Sequence, residues 1–139
     1  MLGATVVNRV RSIVTGTNFS LVETPEPFSF THMPQTVIDG AVRVTLDGIQ
    51  VRTGMSYSEE RIDEVGVFVA KVSGADAGAT TRSLHTLATS LTSAIVRDGC
   101  GAGDFAVGDQ GRRVQVQRDP TATYQVLRLT LPVSYMLSL

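Results

Sequence analysis

Charge is scarce in this sequence: 18% of its 139 residues are Asp, Glu, Lys or Arg, against ~25% in an average soluble domain. Less of such a surface is built to face water, which favours a subunit of an assembly. Twelve basic side chains stand against thirteen acidic ones, a net charge of −1. That balance excludes the strong basic excess of a dedicated nucleic-acid binder and an acidic disordered tail. Lysine is nearly missing. Lys71 is the sole example, and the other eleven basic residues are arginine, through genome composition or because the planar guanidinium suits interface ion pairs. A single cysteine, Cys100, rules out an intramolecular disulfide. No apolar run is long enough to span a bilayer, and Met1 to Arg11 lacks the hydrophobic region of a signal peptide. The expectation is therefore a soluble protein of a reducing cytoplasm, without internal repeats. It is read as one domain over residues 1–139, able to bury roughly two-thirds of its unfolded surface without a metal or disulfide staple.

What is present is hydrophobic periodicity. Val6, Val10, Ile13 and Val14 recur at helical spacing within residues 3–15, predicting a short amphipathic helix that ends at Gly16. Pro25, Pro27 and Pro34 exclude a helix from Thr17 to Gly40. A short strand is expected there near Phe28 to Thr31, in a segment either pinned to its own core by Phe19, Phe28 and Phe30 or reaching onto a neighbouring subunit. Asp47-Gly48 between two alternating runs predicts a β-hairpin from Ala41 to Thr53 with a type I′ turn. Val42, Val44, Leu46, Ile49 and Val51 then share one face, and Arg43 lies opposite Arg52. Met55 to Glu64, with Glu59, Glu60, Asp63 and Glu64 around Arg61, reads as an exposed loop. Val65 to Val72 is β-branched and apolar on both faces, a central strand. Thr80 or Thr81 is expected to cap a helix with a Leu84, Leu87, Leu91, Ala94 and Ile95 stripe, closing at Arg97 with Gly99 as the residue beyond its end. Arg113 to Asp119 alternates, Asp119-Pro120 turns, and Tyr124 to Leu137 forms a long strand with Leu127, Leu129, Leu131, Val133 and Tyr135 on one face. These elements sum to an α+β fold, a largely antiparallel β-sheet covered by two helices.

The chemistry-bearing residues do not assemble into a motif. Gly99-Cys100-Gly101-Ala102-Gly103 follows a helix rather than opening one and has no Gly-Lys-Ser/Thr ending, so it is no phosphate loop. Cys100 sits beyond a helix C-terminus, where the dipole disfavours a thiolate. His32 and His85 have no partner at metal-ligand spacing, the Glu59 to Glu64 carboxylates lack EF-hand spacing, and no Gly-x-Ser-x-Gly elbow occurs. The expectation is a non-enzyme without cofactor or metal. Three surfaces are nominated for contact instead. Arg43 and Arg52 form a patch for an anionic neighbour, protein or DNA backbone; Glu59 and Glu60 are its acidic counterpart on the same or a neighbouring subunit. The second helix carries Thr86, Thr89, Ser90 and Ser93 where a solvated helix would carry Glu and Lys.

The Val6 to Val14 helix, the Asp47-Gly48 hairpin, Val65-Gly-Val-Phe-Val, the Leu84-Leu87-Leu91 helix and the terminal Tyr124-Gln-Val-Leu-Arg-Leu-Thr-Leu strand follow one another over nearly the whole chain. In this order they resemble the tail terminator, or tail completion, proteins of long-tailed bacteriophages. The resemblance implies a structural virion protein that forms a hexameric ring on the end of the tail tube, stops tube polymerisation and joins the tube to the head connector. Its partners would be further copies of itself, the tail tube protein and the head connector or stopper protein, with DNA passing through the ring and no membrane involved. It would be assembled in the host cytoplasm and located in the virion neck. A head-completion, stopper or tail-tube protein is the alternative within that class, and a small-ligand binding domain or a cryptic enzyme the alternative outside it.

Overall fold

A computed structural model describes residues 3–16, 18–24, 28–30, 38–54, 57–100, 105–108, 110–118 and 123–138. In chain order the elements are α1 (Gly3–Val14), β1 (Val22–Glu23), β2 (Ala41–Gly54), β3 (Ser58–Val72), α2 (Ala77–Ile95), a π-helical turn (Val96–Cys100), β4 (Ala106–Val107), β5 (Arg113–Arg118) and β6 (Tyr124–Ser138). The strands form one sheet in the order β1-β2-β3-β6, with β4 and β5 both pairing with the far side of β6. Every pairing is antiparallel except the short one of β1 with β2. The fold is α+β, a mostly antiparallel sheet with two helices.

Both helices lie on one face, where the main core forms. Val6, Val10, Ile13 and Val14 of α1 and Leu84, Ala88, Leu91 and Ile95 of α2 are buried against Val42 and Val44, Val65 to Val69 in alternation, and Leu127 to Leu137 in alternation. The valines of α1 are poor helix formers, so this packing holds the helix. Gln125 is buried on the same face and ties the start of α2 to β6: its Nε2 donates to the Ala77 carbonyl (2.9 Å) and the Thr81 hydroxyl donates to its Oε1 (2.6 Å). Each of these polar atoms is thereby satisfied where water cannot reach it. The helix-free face has a smaller core at one end, where Phe28 is buried with Phe68, Ala70, Tyr124 and Val126, and Phe30 lies 6.5 Å from the Phe68 ring. The Pro-interrupted segment is thus pinned to its own core by Phe28. Its expected strand is displaced: Phe28 to Phe30 are not part of a strand, Thr31 lies outside the described residues, and the strand is Val22–Glu23.

Four further expectations are corrected. Asp47-Gly48 is not a turn. β2 runs straight through it as one strand of fourteen residues, paired along its length with β3. Leu46 faces Val65 and Gly48 faces Glu64, so Asp47 is the extra residue of a β-bulge; Val51 faces Arg61 and Thr53 faces Glu60, so Arg52 is the extra residue of a second. A type I′ turn needs positive φ at both central residues, and neither Asp47 nor Gly48 has it. The bulge is stabilised by its side chain. Asp47 Oδ1 accepts from the Thr45 hydroxyl (2.8 Å), Oδ2 lies 3.5 Å from Arg128 Nη2, and the carboxylate rests over Gly66, where a Cβ would come within 2.7 Å of it. The stretch from Ser58 to Glu64 is strand rather than loop, the first half of the fifteen-residue β3; Met55 and Ser56 lie outside the described residues. The cap of α2 is Asp76, a turn earlier than expected, accepting from the Ala79 N–H (3.1 Å). Gly99 lies inside the π-helical turn, buried under the Phe105 ring, where a Cβ would run into that ring. The turn at Asp119-Pro120 and the glycines 101 and 103 are outside the described residues.

Candidate functional site

The outer halves of β2, β3 and β6 form an arm of the sheet in which β6 keeps Val133, Tyr135 and Leu137 in the main core, whereas β2 leaves apolar groups exposed. On its helix-free face three ion pairs cross between strands: Arg128 to Asp47 (3.5 Å), Arg113 to Glu64 (3.6 Å) and Arg52 to Glu60 (3.8 Å). Arg128 also stacks 5.7 Å from the centre of the Phe68 ring. Between the outer half of β2 and the 108–113 segment lies an open groove of about 950 Å³. Ile62 and Pro132 form its floor, and Arg52, Glu64 and Arg113 stand along it.

On the helix-bearing face, the arm begins with a buried polar cluster. Asp63 is fully buried; its Oδ1 accepts from the Tyr135 hydroxyl (3.2 Å), and Oδ2 has no hydrogen-bond partner among the described residues. Burial pushes the Asp63 carboxyl above the usual carboxylate range, opposed by the Tyr135 hydrogen bond and the Arg61 charge. Tyr135 is raised as well, by burial first and then by Asp63. Arg61 is held by Glu59 (2.9 Å), which raises its pKa further. Next to this cluster, on the outermost strand, Leu46, Ile49 and Val51 are 39%, 50% and 52% exposed. Beyond Val42, no described strand pairs with the other side of β2.

The nominated residues are brought together only in part. Arg52 and Glu60 form a pair within one chain, so the acidic stretch does neutralise one of the two arginines. Arg43 and Arg52 do not oppose each other: both belong to β2, Arg43 beside Phe68 and Arg52 in the second bulge. Arg43 has no carboxylate within 4 Å among the described residues, and Glu59 serves Arg61. Thr86, Thr89, Ser90 and Ser93 are exposed on α2, as the helical period required. Their hydroxyls are not all free: Thr86 donates to the Arg82 carbonyl (3.1 Å) and Thr89 to the His85 carbonyl (3.4 Å), with Thr92 doing the same to Ala88 (2.8 Å).

Two features escaped the sequence. The exposure of Leu46, Ile49 and Val51 was hidden by an alternation that reads as core, and the burial of Asp63 by a run of charges that reads as loop. Among the described residues no three His, Cys, Asp or Glu side chains gather to hold a metal ion, and no helix is long and apolar enough to cross a membrane. Cys100 is half-buried in the π-helical turn and His85 is exposed on α2; His32 lies outside the described residues. Compared with known proteins, the chain matches no family model, and no curated protein is significantly similar to it.

Proposed function

We propose that this chain is a structural subunit of the neck of a long-tailed phage, a tail terminator that forms a ring on the tail tube, stops its growth and receives the head connector. The observation that carries the reading is the apolar strip of Leu46, Ile49 and Val51, left exposed on the outer half of β2. A lone domain gains nothing from exposing such a strip, whereas a ring subunit needs sticky surfaces on two sides of its fold. The low charge and the uncharged outer face of α2 support the same reading, since covered surfaces are depleted in charge. Localisation in the virion neck, hexameric closure and the tube and connector partners follow from this proposal.

The test is the native mass of the purified chain, alone and after incubation with cognate tail tubes, by sedimentation and electron microscopy. The expected species is a closed ring of about six times the 14.8 kDa subunit mass, seated on tube ends. A chain that stays monomeric in both conditions overturns the proposal.

A further inference from the structure

We infer that the strip of Leu46, Ile49 and Val51 is covered by the outer face of α2 from a second copy of this chain. The inference rests on the ring reading and specifies which two surfaces close it.

The strip belongs to the same sheet face on which α1 and α2 already pack. Val42 and Val44 of β2 are buried in the core with α1, and Leu46, Ile49 and Val51 continue that face outward, exposed. The surface is thus of a kind that accepts a helix, left without one. A strand is the poorer occupant. The free edge of β2 is broken by bulges at Asp47 and Arg52, and bulges interrupt the regular ladder that strand addition needs.

Of the two described helices, α1 turns Asn8, Arg9 and Arg11 away from the core, and Arg11 is committed to Glu23. The outer face of α2 has no charge between Arg82 and Arg97, and Thr86, Thr89, Ser93 and Val96 run along it. Burying this face strands few donors, because Thr86 and Thr89 already donate to their own helix. The lengths also agree. In the register of β3 the strip runs from Val65 to Arg61, about 13 Å at 3.3 Å per residue; Thr86 to Val96 spans about 15 Å at 1.5 Å per residue.

The two surfaces lie toward opposite edges of the sheet, both on its helix-bearing side. β2 is near one edge of the sheet, whereas α2 packs over β6 and β5, and Arg118 of β5 reaches Thr81 on the flank of the helix. A contact between unlike surfaces near opposite edges is head-to-tail, so it repeats from copy to copy and closes into a ring when the rotation allows it.

The experiment blocks each surface separately. Ile49→Lys alters the strip and Thr89→Lys the helix; both positions are exposed, and the two blocked surfaces repel each other. Circular dichroism and thermal melting check each fold, with Val51→Lys and Thr86→Lys as the second pair. Sedimentation is expected to show rings for the wild type and monomers for each variant alone. An equimolar mixture of the two variants retains one intact strip and one intact helix face, so it stops at a 1:1 dimer. Variants that assemble like the wild type, or a mixture that stays monomeric, overturn the inference while leaving the ring reading in place. A wild-type chain that never self-associates, alone or on tail tubes, overturns both.

Discussion

At Asp63 the fold holds a carboxyl group that it would hold more easily uncharged. Its folded pKa is raised above that of an ordinary aspartate, mainly by burial. The native state therefore keeps its proton to higher pH than the unfolded chain, and the protein loses stability as pH rises from about 4 through the folded pKa. Asp63→Asn keeps an acceptor for Tyr135 and removes the ionisation. Its melting temperature is expected to exceed that of the wild type at pH 7, with the gap closing as pH falls towards 4; a gap independent of pH refutes this account. Gly99 shows the opposite kind of constraint, one of space. Gly99→Ala places a methyl group against the buried Phe105 ring and is expected to cost about 1–3 kcal/mol, measured by denaturant unfolding. The sequence marked Gly99 as a helix end and Asp63 as a loop residue, because neither burial nor a ring six residues further along the chain is visible in local pattern.

The elements show how far periodicity reaches. The α2 stripe and the alternation of β6 were legible, since each buries one continuous face against the sheet. The β2 bulge was not. A two-residue turn and a one-residue bulge both bring Leu46 and Ile49 to the same side of the chain, so the hydrophobic pattern is identical for the two. Only the partner strand separates them: Ser58 to Glu64 pairs with β2 on one side and β6 on the other, although its own residues are polar on both faces. Capping was misplaced for a related reason, as Asp76, Thr80 and Thr81 lie within six residues of one another and all are competent caps. Asp76→Ala is expected to cost about 1 kcal/mol in urea unfolding. Arg52→Glu, by contrast, breaks an exposed 3.8 Å pair and is expected to shift stability by less than about 0.5 kcal/mol. Combined with Arg43→Glu it tests the arginine patch: the double variant is expected to fold and to join tails poorly, and normal joining removes the patch from the interface.

On the scale of the whole molecule, two unlike uncharged surfaces lie toward opposite edges of the sheet, both on its helix-bearing side, while the charged groups of the helix-free face are largely neutralised by one another. An assembly built on the former is expected to respond weakly to salt: ring formation, followed by sedimentation between low and physiological ionic strength, should change little, since screening acts on charge pairs and not on apolar burial. A steep loss of rings with added salt would assign the contact to Arg43, Arg52 and their neighbours instead.

By itself, the sequence determined the fold class, the two helices, the long last strand and the near absence of charge, because these depend on composition and on periods of two and 3.6 that any buried face imposes. The tertiary structure decided which strands pair, that Asp47 bulges where a turn was expected, that Asp63 is buried, and that three residues with the pattern of a core stand uncovered. Those are properties of neighbours remote in sequence. Burial in particular is set by what packs on a face: at one end of the sheet Val133, Tyr135 and Leu137 stay in the core while Ile49 and Val51 are exposed, and the alternation of each strand reads the same.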